Sequence, residues 1–132
     1  VSGWIKLHRS ILDNHLWDDR PFSDGQAWID ILLLTNHKEG FVKIKNGERI
    51  KINRGECGYS MLAFSKRWGW SRGKVKRFFD HLIEQKMIQQ KNIKKHSIIK
   101  VLQYDKLQNS QQTGQQTGQQ TGQQIVQQTD IN

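Results

Sequence analysis

Cysteine and proline are nearly missing from this chain: its 132 residues contain one of each, Cys57 and Pro21. A single cysteine rules out an intramolecular disulfide framework and fits a reducing, intracellular setting. Long apolar runs are missing as well. The longest, residues 29–34, is interrupted by Asp30, and it is far shorter than the ~20 residues that cross a bilayer. The first ten residues, VSGWIKLHRS, lack the apolar stretch of a secretory signal. These absences predict a soluble, cytoplasmic protein with no membrane partner. The histidines (His8, His15, His37, His81, His96) share no ligand spacing such as H-x3-H, so no zinc site is expected. No G-x4-G-K-[ST] loop is present to cradle a nucleotide. Asp13, Asp18, Asp19, Asp24 and Asp30 are the acids a metal-dependent nuclease would draw on, but Asp18 and Asp19 read as loop residues. Asp24 reads as a charge complementing a helix dipole. The expectation is a non-enzymatic chain without a cofactor.

What the chain does have is positive charge, and in one place. The net charge is +9, from 21 Lys and Arg against 12 Asp and Glu. Residues 1–64 carry nine basic and eight acidic side chains, whereas residues 65–100 carry eleven basic and two acidic ones. A field concentrated in this way attracts polyanions and makes their binding salt-dependent. An acidic membrane surface is the weaker partner, because no amphipathic helix with a broad apolar face is left free to insert.

The concentrated charge falls on a patterned stretch. Residues 60–85, SMLAFSKRWGWSRGKVKRFFDHLIEQ, read as two helices around a break at Gly69-Trp70-Ser71. Met61, Phe64, Ser65 and Trp68 recur at helical spacing in the first. Val75, Phe78, Phe79 and Leu82 give the i, i+3, i+4, i+7 stripe of the second. Gly69 can take φ > 0 and Ser71 can cap the second helix. Gly73, Lys74, Lys76, Arg77 and His81 then fall away from the buried stripe. Two amphipathic helices occur in many all-α domains, and a basic face is often merely solvated. A short Gly-containing turn followed by a basic outer face is also the helix-turn-helix signature.

The rest of the chain fills in around it. Residues 4–14 read as a helix, with Trp4, Leu7, Ile11 and Leu12 near one face, and residues 15–22 as a loop. Ser23 caps a second helix over 24–36, whose apolar positions Ala27, Trp28, Ile31, Leu32 and Leu34 make it central to the core. Residues 41–52 alternate around Asn46-Gly47, which predicts a hairpin with a type I′ turn. Residues 54–56 turn the chain, and a short strand over 57–59 leads into the helix starting at Ser60. After the two helices, residues 87–90 are extended, residues 91–96 turn-like, and residues 97–102 (SIIKVL) a strand. The result is a hairpin with Lys91, Lys94 and Lys95 at its tip. The fold expected is α+β: a winged helix-turn-helix over residues 1–108 with an N-terminal helical extension and β-hairpins. Residues 109–132 contain the repeat QQTGQQTGQQTGQQ, which has no apolar residue to bury, and are expected to be a disordered linker. A linker ending soon after its last echo suggests either a fragment of a longer protein or the product of a truncated gene.

Three stretches carry a family resemblance: GWIKLHRSILDNHLW with AWIDILLLTNHKEG, GECGYSMLAFSKRWGWSRGKVKRFFDHLIEQKMI, and VLQYDKLQ. Together, over about residues 3–108, they resemble the N-terminal winged-helix domain of phage and prophage replication-initiation proteins, the DnaD-like replisome organiser group. The most specific pieces are residues 70–75 and Tyr104-Asp105. The resemblance implies primosomal DNA binding, homo-oligomerisation through this domain, and delivery of a replicative helicase. Such proteins often continue into a helical C-terminal domain that contacts DNA and the helicase loader. That part has no counterpart here, so only DNA binding and oligomerisation carry over.

In a helix-turn-helix the N-terminal part of the second helix meets base edges and its flanks meet phosphate. Ser71, Arg72, Gly73, Lys74, Lys76 and Arg77 are therefore the expected DNA-binding residues on the helix, with Lys91, Lys94 and Lys95 on the wing. Arg72 and Arg77 are the base readers, since a guanidinium bonds guanine bidentately. Trp68 is expected in the core, and Trp70 packed under the turn rather than on a base. Duplex DNA is the expected partner and single-stranded DNA a possible second. A transcriptional regulator would use the same surface. The other reading is a protein-interaction winged helix whose basic face is incidental and whose interface is the 41–52 hairpin with the first helix.

Overall fold

Three serines start the three main helices. In the computed structural model, which describes residues 3–44, 46–93 and 96–108, Ser23, Ser60 and Ser71 each accept a 3.1 Å bond from the backbone N–H three residues on. Such caps satisfy one orphan donor of the first turn and are worth about 1 kcal/mol each. The helices they open are α1 (Asp24–Leu34), α2 (Met61–Trp68) and α3 (Arg72–Glu84).

α1 ends two residues earlier than its sequence suggests, and the reason lies in the backbone beyond it. Asn36 N–H bonds to Glu56 O at 2.9 Å, and Gly55 N–H to Asn36 O at 2.8 Å, so the chain is drawn off into extended pairing. Ala27, Asp30, Ile31 and Leu33 form the buried side of α1.

The expected helix over residues 4–14 does not form. The chain stays irregular through His8 and then makes two short 3-10 turns, Arg9–Asp13 and His15–Asp18. Their bonds run three residues back: Ile11 N–H to His8 O, Asn14 N–H to Ile11 O, Trp17 N–H to Asn14 O. Asn14 separates them. It is extended, and its side chain takes Leu16 N–H at 2.9 Å, which restarts the chain in a new direction.

The strands are β1 (Gly40–Lys43), β2 (Arg49–Ile52), β3 (Glu56–Cys57), β4 (Ile88–Ile93) and β5 (His96–Val101). β1 and β2 pair antiparallel as a hairpin, and the other three form an antiparallel sheet in the order β3-β5-β4. The hairpin turn is not type I′. Gly47 has φ +87°, its N–H bonds back to Ile44 O at 2.9 Å, and Ile44 N–H bonds across to Glu48 O at 2.9 Å. This matches the three-residue loop in which a glycine takes the left-handed position. The Asn46 side chain accepts instead from Glu48 N–H, so its preference goes into a local turn.

Ile98 and Ile99 are neighbours and both are buried. Successive strand residues point to opposite faces, so both sides of the three-stranded sheet are covered. On the Ile98 side lies the hairpin, through Ile50 and Ile52, with Val42, Ile44 and Ile93 around them. The opposite side, with Ile88, Ile99 and Val101, is the one left to the helices, and α3 packs against β4. The described residues 6–102 are thus a layered α+β unit. Residues 3–5 and 103–108 belong to a second unit whose regular element is α4 (Tyr104–Gln108).

α2 and α3 meet through aromatic rings. Phe64 lies 4.7 Å from Trp68 and 5.5 Å from Phe79, and Trp70 lies 4.9 Å from Trp68 and 5.2 Å from Phe78, centroid to centroid. Such pairs add about 0.5–1.5 kcal/mol each beyond the area they bury. Trp68 and Trp70 are both core residues, as their positions beside the turn suggest.

Candidate nucleic-acid interface

The turn between α2 and α3 is fixed from several sides. Gly69 sits in the left-handed region at φ 70°, ψ 33°, and its N–H closes on Ser65 O. Trp70 N–H also reaches Ser65 O, at 3.1 Å, and Ser65 Oγ donates to Trp70 O at 2.6 Å. The Trp70 indole donates to Phe22 O at 2.8 Å, tying the turn to the segment before α1. A rigid turn holds the first residues of α3 in a defined direction.

Those residues do not all face water in the same way. Ser71 is occupied as the cap. Arg72, Gly73, Lys76 and Arg77 are exposed, while Lys74 is half-buried with its ammonium 4.4 Å from the Trp70 ring centroid. Lys76 pairs with Asp80 one turn on, at 3.1 Å. Arg72 and Arg77 have no hydrogen-bond or ion-pair partner among the described residues. A Cβ built on Gly73 would lie 3.2 Å from Arg77 Nη1, so the guanidinium lies back over the bare first turn. Further along, Asp80 and Glu84 reverse the sign of the exposed face. The basic part of α3 is its N-terminal half.

The second hairpin departs from expectation. Lys91 is not at its tip: β4 continues to Ile93, and Lys91 stands opposite Ile98. Its ammonium lies 2.6 Å from Glu56 Oε2. The register explains the pairing, because Glu56 opposes Lys100, and Lys91 and Lys100 share a face of the sheet. Burial alone would raise the Glu56 carboxyl. The hydrogen bonds from Lys91 and Asn53 outweigh it and hold the group below its ordinary value of 4.5. Lys94 and Lys95 lie outside the described residues, as does the 109–132 tail.

A residue that the sequence offered only as a break in an apolar run accepts four hydrogen bonds from three side chains. Asp30 is fully buried. Its Oδ2 accepts from Arg67 Nε at 2.6 Å and from Trp68 Nε1 at 2.8 Å. Its Oδ1 accepts from Arg67 Nη2 at 3.1 Å and Trp17 Nε1 at 3.0 Å. The hydrogen bonds to Asp30 are also the main reason why the Arg67 guanidinium is held above its ordinary range. Four donors leave this carboxylate no capacity for a metal. The signal available in the sequence was a lone acid on the apolar side of a helix, which demands a buried partner.

Among the described residues, no three His, Cys, Asp or Glu side chains converge as a cation site. No helix there is long and apolar enough to cross a membrane. Cys57 is buried, and burial pushes its thiol up to about 11, which leaves it inert as a nucleophile. No family model, curated protein or solved structure matches this chain.

Proposed function

We propose that this chain is a DNA-binding winged-helix module in which the N-terminal half of α3 enters the major groove. The observation that carries the reading is the pair of exposed arginines, Arg72 and Arg77, left without protein partners among the described residues on a helix held by a rigid turn. Unpaired guanidiniums beside a glycine that permits close backbone approach suit bidentate bonding to guanine, worth about 1–3 kcal/mol of discrimination per base. With the β1–β2 hairpin taken as an insertion, the order of elements supports the same reading: α1, β3, α2, turn, α3, then a β4–β5 hairpin, with β3 on the free side of β5. In this arrangement β4–β5 is the wing, and Lys94 and Lys95 are its phosphate contacts. Lys91 serves the fold through Glu56, and Lys74 serves the turn through Trp70. The biological setting, initiation of replication in a phage or prophage with self-association of the domain, rests on the sequence resemblance. A transcriptional regulator would use the same face.

The test is fluorescence anisotropy of the full chain with random duplex DNA across a salt series. The affinity should fall steeply with salt, and Arg72→Glu with Arg77→Glu should abolish binding near physiological salt. Duplex affinity unchanged by that double reversal would sink the proposal.

A further inference from the structure

We infer that the outward face of the β1–β2 hairpin is a platform for an unpaired nucleic-acid strand, with a base stacked on Phe41 and phosphates held by Lys43, Arg49 and Lys51. The register places these four residues together. Phe41 opposes Lys51 and Lys43 opposes Arg49, and all four point away from the face that Val42, Ile50 and Ile52 bury. Phe41 is 69% exposed, a large aromatic ring lying open among three cations. An exposed ring amid basic side chains is how proteins hold single strands, because every base offers a π-face and every nucleotide a phosphate.

The charge of the segment supports a polyanion as the occupant. The near-neutral balance of residues 1–64 conceals two opposite halves. Residues 1–37 hold three basic and five acidic side chains, while residues 38–54 hold six basic and two acidic. Of the two acids, Glu48 bonds the Asn46 amide at 2.6 Å. Glu39 meets Lys51 at 3.3 Å, with both side chains more than half exposed. Such a pair is weak enough for a phosphate to replace. A two-fold pairing of this face with its own copy would bring Lys43, Arg49 and Lys51 against themselves, which the like charges oppose.

The platform is also held firmly. Gly58 packs beneath the hairpin so closely that a Cβ there would lie 2.7 Å from Val42 Cγ2. The hairpin and the helices cover opposite faces of the three-stranded sheet, so a strand bound here does not occupy α3. The inference therefore stands apart from the duplex-binding proposal.

Binding of fluorescent oligothymidylate and of duplex DNA to the full chain tests it, with oligouridylate distinguishing an RNA strand from a DNA one. Phe41→Ala should weaken oligothymidylate binding about tenfold, and Phe41→Trp should restore it. Lys43→Glu with Arg49→Glu should weaken it further and flatten the salt slope by about 1.4. Duplex binding should be unaffected by both variants, and Arg72→Glu with Arg77→Glu should show the reverse pattern. The inference is overturned if the hairpin variants bind oligothymidylate as the parent does. It is equally overturned if Phe41→Ala changes only the sedimentation mass, which would make the face a self-association surface. If duplex binding is absent throughout while oligothymidylate binding depends on Phe41, the hairpin inference stands and the α3 proposal falls.

Discussion

Arg67 and Arg77 carry the same guanidinium on consecutive helices, yet they live in different surroundings. Arg67 grips a fully buried carboxylate with two of its nitrogens. Arg77 has no partner among the described residues and lies over a glycine. The same split separates Lys91, spent on Glu56, from Arg72, which is unpaired among those residues. In sequence all four add equally to one basic segment. In the fold, a cation facing a buried acid is part of the scaffold, and only one facing water can be lent to a ligand. Breaking a buried pair costs far more than its formation contributes, because it leaves an uncompensated group inside. The two classes should therefore respond oppositely to substitution.

The largest effect is expected at the acid that anchors Arg67. Asp30→Ala strands a guanidinium and two indole N–H groups and should lower unfolding stability by about 3–5 kcal/mol. A loss below about 1 kcal/mol in urea titration would erase the distinction between the two arginines. Next comes Glu56→Gln, expected to lose about 1–3 kcal/mol with the charge-assisted bond to Lys91. Its pH dependence has a definite sign. The Glu56 carboxyl lies below 4.5 in the folded chain, so between that lower value and 4.5 the unfolded chain binds more protons. The contribution of the pair is thus full above 4.5 and lost as pH falls through the folded value. Thermal melts from pH 6 downward should show the parent and the Gln variant converging; a constant gap would assign the loss to packing.

Gly69→Ala should cost about 1–2 kcal/mol, since an L-residue must be held in the left-handed region. Its Cβ would meet Arg20 Cβ at an ordinary 3.4 Å, so strain rather than collision sets the effect. Gly73→Ala should do the opposite and stabilise by a few tenths to ~1 kcal/mol, because the new Cβ crowds only the movable end of Arg77 and meets Ser71 Oγ at an ordinary 3.9 Å. A weakened duplex affinity in that more stable variant would tie the missing side chain to DNA approach. Smallest for the fold is Arg77→Ala, whose unfolding free energy should change by less than about 0.5 kcal/mol.

The turn between α2 and α3 was legible in the sequence because Gly69 and Ser71 act within four residues, although the bond from the Trp70 indole to Phe22 was not. The first hairpin was legible too, although its turn type was not, since Asn46 bonds its own neighbours. The N-terminal segment misled. Trp4, Leu7, Ile11 and Leu12 have helical spacing, but Ile5 is 92% exposed and Asn14 divides the segment into separate turns. Periodicity shows that a helix could bury a face, and says nothing of whether a surface exists to receive it. Asp30 was opaque for a different reason. Its donors lie 13, 37 and 38 positions away, beyond any local pattern. In the candidate site, the sequence placed Arg72 and Arg77 on an exposed face but could not tell that Lys74 and Lys91 were committed elsewhere.

Asp30 and Arg67 close a loop of the chain that contains the entire β1–β2 hairpin and β3. In a chain with one cysteine, no disulfide can close such a circuit. A disulfide persists after denaturation and narrows the search for the native state, whereas an ion pair vanishes with the fold. The refolding chain must bring these distant segments together unaided, a non-local encounter of the kind that slows folding. Once made, it is one clasp shared by the second 3-10 turn, α1 and α2.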